Sequence, residues 1–452
     1  MLPQAGTYNV STDYTILTAA GGLVGTFDSV SSNLAFLTPT LTYDANNVFL
    51  NLARNAVTFS AVANTPNQRA VAALLTQLQN TNPVAIQDIL NQLLPLTTFG
   101  AQQAFDNLSG VQHTHSNVLM LGANRQFLQL LFDRLGFNPT SSLAFNPSDG
   151  PLLAYQGADW AALTSSYFGG SQADFGTQRG VWLQGIGGVG DIDATYNASG
   201  ADYNTKGFAF GVDTDWRNMV VGFAGSFINS DADTFGGNTE VDSYQFAAYG
   251  GWEHDDYYVS TNVGFGYHAA EASRAVIVGA TTSTASSDYD ATTVSASVVV
   301  GKDIPLQLAT TLTPYAGIAF NHLDRDSFNE TGAGTSNLSV KDNEENSLRT
   351  RFGLRLSQVI TNADGSQLTP YAYGGYVREH LDDTSTLTAG FSAVPTSTFT
   401  VSGVERDRNR AEVGAGLTGK LNDNTTFNIG YEGDIAGSDD HHSFSAAVKV
   451  VW

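Results

Sequence analysis

The carboxyl-terminal stretch Ser443-Phe-Ser-Ala-Ala-Val-Lys-Val-Val-Trp452 alternates between two kinds of side chain. The apolar and aromatic residues fall on one face: Phe444, Ala446, Val448, Val450 and Trp452. The other face carries serine, alanine and lysine. Successive side chains of a β-strand point to opposite faces, so this period of two predicts a strand with one apolar side and one polar side.

The same alternation recurs upstream, in about twelve runs between residues 179 and 452, and an even number is typical of bacterial outer-membrane barrels. The runs begin near residues 179, 206, 219, 239, 257, 288, 309, 346, 367, 408, 424 and 441. Many of them exceed the ~5–6 residues usual for globular strands. They reach the ~9–11 residues with which a tilted strand crosses a bilayer.

Connections between the runs alternate in length. Short connections include Trp216–Met219 and His254–Asp256. The long ones are residues 193–205, 231–238, 271–287, 323–345 and 381–407. Short turns on one side, long loops on the other and aromatic residues near strand ends are typical of outer-membrane barrels. The sequence therefore predicts an all-β membrane protein, a twelve-stranded antiparallel transmembrane β-barrel over residues 179–452.

Composition agrees with this fold class. The chain has 452 residues, a formal net charge of −23, 46 glycines and no cysteine. The acidic balance argues against a nucleic-acid partner, which requires a basic face. The absence of cysteine excludes a disulfide framework, a thiolate metal site and a cysteine nucleophile.

Helical spacing precedes the barrel. Thr65-Pro-Asn-Gln68 predicts a capped helix start, with proline at the first helical position. A second helix is predicted from Asn82-Pro83, and a third from Ser109 and Gln112 to Leu135. Residues 137–178, rich in Gly, Ser, Asn and Pro, are predicted to be a linker. Residues 1–60 are predicted to form short strands separated by turns.

An even strand count leaves both barrel ends on the short-turn, periplasmic side. The third helix must reach that side before the first strand begins, and the straight route is through the lumen. The segment Met1–Tyr8 lacks the basic and apolar regions of a signal peptide. We therefore expect the chain to be a fragment of a longer precursor.

Four stretches carry a family resemblance: Tyr14–Asp28, Phe105–Gly110, Gly180–Gly188 and Phe444–Trp452. Together with the order of strands, helix and barrel, they resemble the C-terminal part of classical autotransporters (type V secretion). The resemblance implies an outer-membrane translocator of a Gram-negative bacterium that anchors and exports an N-terminal passenger through its pore, without enzymatic activity. It also implies that the N-terminal segment lies at the cell surface.

The resemblance divides the chain into four regions. Residues 1–60 would be the end of the passenger's β-helix (a β-solenoid) with its autochaperone, and 61–110 a helical connector. Residues 111–178 would be the pore helix and linker, and 179–452 the barrel. The implied partners are outer-membrane lipid, the barrel-assembly machinery, periplasmic chaperones and the passenger itself. The signal read by the assembly machinery would comprise Phe444, Val448, Val450 and Trp452.

Alternation also predicts which charged residues line the lumen. The predicted lumen-facing candidates are Arg349, Arg351, Arg355, Arg410, Glu412 and Glu432, with Asp213, Asp215 and Asp434 on equivalent positions. They are either the mixed-charge wall of a wet pore or partners for the helix that passes through it, and both interpretations stand.

Enzyme-like patterns are weaker. Gly185-Ile-Gly-Gly-Val-Gly190 matches a dinucleotide fingerprint but is followed by a loop instead of the required helix. We expect its glycines to let the plug helix approach closely. Asp439-Asp-His-His442 resembles a barrel-rim protease site only in composition. Neither His441 with His442 nor His113 with His115 shares a face suited to a metal. We expect no catalytic, cofactor or metal site.

An alternative function remains open. The barrel could be a stand-alone outer-membrane porin or adhesin-like protein, in which residues 1–136 act as a plug or surface cap. Deleting the third helix separates the two, because a translocator would lose passenger display whereas a porin would gain conductance.

Overall fold

The computed structural model describes residues 11–135, 179–216, 219–234, 236–363, 366–422 and 424–452. The predicted linker at 137–178 lies outside the described residues. Among the described helices, none is long and apolar enough to span a membrane.

Twelve long antiparallel strands in the described part of the chain close into a barrel, which confirms the predicted strand number. They are β4 (Arg179–Ile192), β5 (Ala201–Trp216), β6 (Met219–Thr234), β7 (Gly237–His254), β8 (Tyr257–Val278), β9 (Thr281–Lys302), β11 (Thr310–Arg325), β14 (Asn343–Gln358), β16 (Gln367–Glu379), β19 (Asn409–Asn422), β20 (Thr425–Ile435) and β21 (Asp439–Val451). Two-residue strands extend the sheet: β10 (Ile304–Pro305) and β15 (Ile360–Thr361). The last strand, β21, pairs with β4 and so closes the cylinder.

The apolar face of each strand points outward. On β8, Tyr257, Val263 and Phe265 are exposed, whereas Asn262 and His268 are buried in the interior. Burying polar groups and exposing apolar ones is the reverse of a protein in water, and it is the arrangement that lipid stabilises. The outward aromatic residues of β8 run from Tyr257 to Tyr267, which matches the ~9–11 residues needed to cross a bilayer.

Two of the predicted long loops are strands instead. Residues 231–238 and 271–287 belong to the hairpins β6–β7 and β8–β9, which continue past the lipid-facing band to tight turns. Gly236 and Gly279 supply the positive φ angles of 82° and 62° at these turns. The alternation persists in both hairpins, but its outward side becomes polar, and that change of polarity resembles a loop in the sequence.

Two more of the predicted long loops, 323–345 and 381–407, fold into a separate four-stranded sheet on the same side. It contains β12 (Phe328–Asn329), β13 (Leu338–Val340), β17 (Thr384–Phe391) and β18 (Phe399–Glu405), in the order β12-β13-β17-β18. The loop between β4 and β5 is shorter than predicted because β5 begins at Ala201.

Three strands form the start of the described chain: β1 (Ser11–Thr18), β2 (Leu37–Tyr43) and β3 (Asn47–Arg54). They pair antiparallel in the order β1-β3-β2. Asp44 closes the β2–β3 hairpin, because its Oδ1 accepts a 2.7 Å bond from the Asn46 amide. This antiparallel pairing differs from the β-solenoid remnant that the resemblance implies, whose successive coils pair in parallel. A tight turn joins β2 to β3, so these two run in opposite directions, and β1 pairs antiparallel with β3 from farther along the chain.

Five α-helices follow in the described residues: α1 (Phe59–Val62), α2 (Pro66–Thr81), α3 (Gln87–Leu93), α4 (Thr98–Ser109) and α5 (Thr114–Leu135). The capping box of α2 forms as predicted, with Thr65 Oγ1 accepting from the Gln68 amide at 3.2 Å. Helix α4 has no predicted counterpart. The sequence predicts that the third helix starts at Ser109 and Gln112; in the structure these positions lie at the end of α4 and in the short connection to α5, which begins at Thr114.

The helices outside the barrel share one hydrophobic core with the extracellular parts of the barrel. Phe59, Phe105 and Leu338 are fully buried in it, from α1, α4 and β13 respectively. We call the unit formed by residues 34–113, the four-stranded sheet and the β8–β9 extension the cap. The predicted connector is therefore a packed domain seated over the barrel mouth.

Candidate functional site

Helix α5 fills the lumen of the barrel. Nearly all of its side chains are buried. One side, including Phe127, Leu131 and Leu135, packs on inward apolar residues of the first barrel strands, such as Trp182 and Tyr249. The close approach needs glycine on the wall, because a Cβ at Gly251 would lie 3.3 Å from Leu135 Cδ2. The lumen helix predicted from strand parity is present.

The opposite side of α5 faces a charged wall on β14, β19, β20 and β21. The six predicted lumen-lining residues lie here, with Arg349, Arg355, Arg410 and Glu412 buried. A cavity of about 60 Å³ between helix and wall is bordered by five of the six: Arg349, Arg351, Arg410, Glu412 and Glu432. The guanidinium of Arg355 stacks 4.5 Å from the Tyr371 ring centroid.

Ion pairs within this wall hold most of its charges. Asp434 lies 3.0 Å from Arg349 Nη1 and 2.6 Å from Arg410 Nε. Arg410 also pairs with Asp439 at 2.7 Å. Arg351 pairs with Glu412 at 3.4 Å and also reaches the helix, donating to Gln129 Oε1 at 2.5 Å. The mixed-charge wall is thus largely self-neutralising, as buried charges require, and it contacts α5 through few direct bonds.

A second charged contact fixes the periplasmic end of α5. Arg134 Nε donates to Asp213 Oδ2 at 2.7 Å, and the Tyr249 hydroxyl donates to the same oxygen at 2.9 Å. Lys449 Nζ lies 3.4 Å from Asp213 Oδ1. The Arg134 guanidinium stacks over Trp182 at 5.1 Å. Of this group the sequence indicated only that Asp213 faces the lumen.

A buried ionic cluster holds the outer end of the lumen helix, and we call it the mouth lock. Glu330, in the loop after β12, accepts two bonds from Arg274 at 2.6 and 2.7 Å. It also contacts His113 Nε2 at 2.8 Å and accepts from the Leu338 amide at 2.8 Å. Arg274 bonds in turn to the Asn107 carbonyl at 2.6 Å. The lock joins the turn between α4 and α5 to two separate barrel hairpins.

Burial and neighbouring charges determine the protonation states of Glu330 and His113 in the mouth lock. Burial alone would raise the pKa of Glu330, but Arg274 and the hydrogen bonds outweigh it and lower that pKa to about 2. Burial lowers the pKa of His113, against the opposing pull of Glu330. The lock therefore contains an ionised Glu330–Arg274 pair and a neutral imidazole at neutral pH. No sequence pattern joins positions 113, 274 and 330.

Acidification should weaken the cap through His113. The pKa of His113 is lower in the folded cap than its unfolded value of ~6.5. Below that value the unfolded cap binds a proton at His113 and the folded cap does not, so the free energy of unfolding falls as pH decreases. We expect the urea midpoint of cap unfolding to drop between about pH 7 and pH 5. A fluorophore on Val84→Cys, at an exposed site in this cysteine-free chain, reports the transition. His113→Gln should flatten the pH dependence, and an unchanged slope would contradict this account.

Gly110 makes the turn from the cap into the lumen. Its φ is 64°, and an added Cβ would lie 2.5 Å from Leu338 Cδ1. Gly110→Ala should destabilise the cap by at least ~1–2 kcal/mol from the left-handed backbone alone. Gly100→Ala is the matched control, because that Cβ meets its nearest neighbour at 3.4 Å and helical alanine is favoured over glycine. Equal urea midpoints for the two variants would refute the prediction.

The glycine motif 185–190 serves another purpose than the predicted one. A Cβ at Gly185 or Gly187 would meet nothing closer than 4.0 Å, on the outer wall. At Gly188 and Gly190 it would collide with Thr205 and Tyr203. These two inward glycines make room for side chains of neighbouring strands instead of for the plug helix.

The cluster 439–442 divides between the two faces of β21, as alternation requires. Asp439 is held by Arg410, and His441 stacks on Tyr203 with ring centroids 5.7 Å apart. His442 Nδ1 bonds to the Tyr431 hydroxyl at 2.8 Å. In the described ranges, no group of three or more His, Asp or Glu residues is arranged to hold a metal ion.

The residues predicted as the assembly signal lie on the outer surface of the closing strand. Phe444, Val448, Val450 and Trp452 are all exposed. The Trp452 amide donates to the Arg179 carbonyl at 3.0 Å, which ties the chain end to the first barrel strand. Their recognition by the assembly machinery remains a prediction.

Comparison with known proteins identifies the family to which this barrel is similar. The model of the autotransporter beta-domain family matches residues 181–432, more than half of the chain. Two extracellular serine proteases of Serratia marcescens are each 24% identical over 97% and 98% of this chain. The chain spans 43% of the length of each of these relatives.

Two solved structures are similar in fold. The translocator domain of the autotransporter NalP from Neisseria meningitidis is 17% identical, with a TM-score of 0.48 over 64% of this chain and 92% of that one. The beta domain of the Bordetella autotransporter BrkA is 19% identical, with a TM-score of 0.45 over 60% and 98%.

The barrel architecture, with apolar strand faces outside and a helix within, defines an outer-membrane translocator, and the chain belongs to the autotransporter family. Its barrel lies in the outer membrane and exports the passenger to the cell surface. The barrel itself is not catalytic.

Proposed function

We propose that α5 is the segment retained in the lumen when export ends, and that it anchors the passenger while closing the pore. The observation that carries the proposal is the path of the chain. Residues 34–113 pack in the cap, and the chain turns at Gly110 and runs inward as α5 from Thr114 to Leu135. Chain that leads from outside directly into a filled lumen is what a completed inside-to-outside passage leaves behind.

The two ends of α5 support this role. The mouth lock holds the outer end, and the Arg134–Asp213 pair holds the periplasmic end. Between them the helix packs on the apolar wall. An anchor must resist withdrawal in either direction, and breaking a buried ion pair costs several kcal/mol.

The regional roles belong to the same proposal. Residues 1–60 are the end of the passenger, 61–110 its connector, 111–178 the pore helix with its linker, and 179–452 the barrel. The barrel-assembly machinery and periplasmic chaperones are the proposed partners, with Phe444, Val448, Val450 and Trp452 as the assembly signal. The described chain as a whole is proposed to be non-enzymatic.

Deleting Thr114–Leu135 tests the proposal. With an epitope placed upstream of β1, intact cells expressing the full chain should bind antibody, and the deletion should abolish the signal. Heat-modifiability on a gel controls for barrel assembly. The alternative of a porin or adhesin-like barrel with a plug predicts retained display and a large gain in planar-bilayer conductance. A heat-modifiable deletion variant that still displays the epitope would overturn the anchor role.

A further inference from the structure

One groove in the cap lies outside the lumen. It has a volume of about 520 Å³ and runs between α4, the loop joining β4 to β5, and the tip of the β8–β9 hairpin. That volume is in the ~300–1,000 Å³ range of small-molecule sites. Leu96, Ala104 and Val111 provide apolar surface along it. Nothing in the export mechanism uses this groove.

Tyr196 stands at the edge of the groove on a rigid turn. The side chain is 80% exposed. The turn beneath it is closed by a 2.9 Å bond from the Thr195 amide to the Ala198 carbonyl. Asn197 is joined to the buried Asn67 by two further bonds of 2.9 Å each. The Tyr196 ring is exposed to solvent, so it gains no stabilisation from burial in the folded chain. An exposed aromatic ring on a fixed turn is typical of a residue that anchors a ligand.

Polar groups along the groove have unused hydrogen-bonding capacity. Asp106 accepts at Oδ2 from Gln68 at 2.9 Å, and its other oxygen accepts nothing among the described residues. The exposed Gln103 amide group likewise makes no side-chain hydrogen bond in the described part of the chain. At one end, Gln112 Oε1 and Ser199 Oγ are buried without a partner among the described residues. Such groups are rare in folded proteins, and a bound ligand is one explanation for them.

The chemistry of the lining selects the ligand. Lysine and arginine do not line the groove in the described residues, so phosphate and sulfate groups are not favoured. The lining combines an aromatic ring, an apolar strip, neutral amides and hydroxyls, and one carboxylate, that of Asp106. A ligand that fits must present one apolar face and an edge of hydroxyl groups. A neutral pyranose has both.

We propose that this groove binds a neutral saccharide of one or two rings, with Tyr196 against the ring face and Gln103 and Asp106 on its hydroxyls. The sugar could come from the outer leaflet of the cell's own membrane or from a foreign surface. Both sources present the same chemistry to the groove.

Saturation-transfer NMR and calorimetric titration of the purified full chain test the proposal. The detergent should be lauryldimethylamine oxide, because maltoside and glucoside headgroups would compete. The probes are glucose, galactose, N-acetylglucosamine and lactose for a foreign source, and purified lipopolysaccharide core oligosaccharide for the cell's own. We expect at least one probe to bind with a Kd of about 1 mM or tighter.

Tyr196→Ala should weaken that binding by about tenfold or more, and Gln103→Ala by a smaller factor. Phe99→Ala is the matched control, because Phe99, on α4, is an exposed aromatic residue like Tyr196, at 67%, but does not line the groove. Heat-modifiability shows that each variant is folded. The proposal fails if none of the probes binds, if Tyr196→Ala binds as tightly as the unmodified chain, or if Phe99→Ala weakens binding equally.

Discussion

Replacing Glu330 by Gln should release the cap from the barrel mouth while the barrel stays intact. The substitution preserves shape but removes the charge that neutralises Arg274, whose side chain is only 1% exposed. Leaving one member of a buried ion pair without its partner costs ~3–5 kcal/mol. Since Glu330 also binds His113 and the Leu338 amide, one change loosens the turn into the lumen and the sheet above it.

The urea midpoint of the Val84→Cys fluorophore should fall steeply in this variant, and limited proteolysis should begin within α2 to α4. The heat-modifiable shift of the barrel should be unchanged. Glu271→Gln is the control, because Glu271 lies on the same strand as Arg274 but points outward and is exposed. If the two variants unfold at the same urea concentration, the mouth lock does not hold the cap.

Asp213→Asn should have a comparable effect at the periplasmic end of the lumen. The carboxylate faces Arg134 and Lys449 and accepts from Tyr249, and its side chain is 1% exposed. The substitution leaves Arg134 and Lys449 buried without a neutralising carboxylate, which should lower the free energy of unfolding by ~3–5 kcal/mol. Lys449 belongs to the closing strand, so the loss reaches the β21–β4 seam as well as the helix.

Planar-bilayer recordings should show larger and more frequent openings of this variant, because the lower half of α5 is less firmly held. The temperature of the electrophoretic shift should also fall. Asp255→Asn, in the exposed periplasmic turn after β7, removes the same charge without a buried partner. Asparagine tolerates the φ of 54° at that position, so the control should match the unmodified chain. Equal conductance in both variants would contradict the assigned role of Asp213.

Much of the fold could be predicted because alternation is local. The alternation within each barrel strand is enough to predict that strand. In β8, the outward aromatic residues from Tyr257 to Tyr267 also show how much of the strand crosses the bilayer. The pattern is less informative where lipid ends. In β8 the outward residues beyond Tyr267 are polar or small as far as Ala275, so the sequence from Glu271 onward resembles a loop although the ladder continues. Helix α4 is hard to predict from the sequence because two of its four buried apolar residues, Ala101 and Ala104, are small, and because Gly100 lowers the helix propensity of its first turn.

The site was less predictable because its contacts are distant in sequence. Alternation placed Arg349, Arg410 and Asp434 on the lumen side, but the pairing of Asp434 with both arginines follows only from barrel curvature and strand register. The mouth lock joins three chain segments that are far apart. Its one local cue is Arg274, a cation on the inward face of an otherwise small and apolar run, Ala272–Val276. An inward charge beyond the lipid band needs a partner from elsewhere.

The length of the β8–β9 hairpin determines how far the cap extends beyond the lipid-facing band of the barrel. From Tyr267 to Val278 the strand rises about 36 Å along its own direction, at ~3.3 Å per residue, or roughly 25 Å along the membrane normal if the ~45° tilt of a spanning strand continues. Residues 34–113 pack along this extension, whose core residues run from Ala270 near its base to Val278 near its tip, so the cap begins close to the edge of the lipid. The same hairpin therefore carries the packed chain of the cap outward from the edge of the lipid, and its length sets how far that chain extends beyond the outer leaflet.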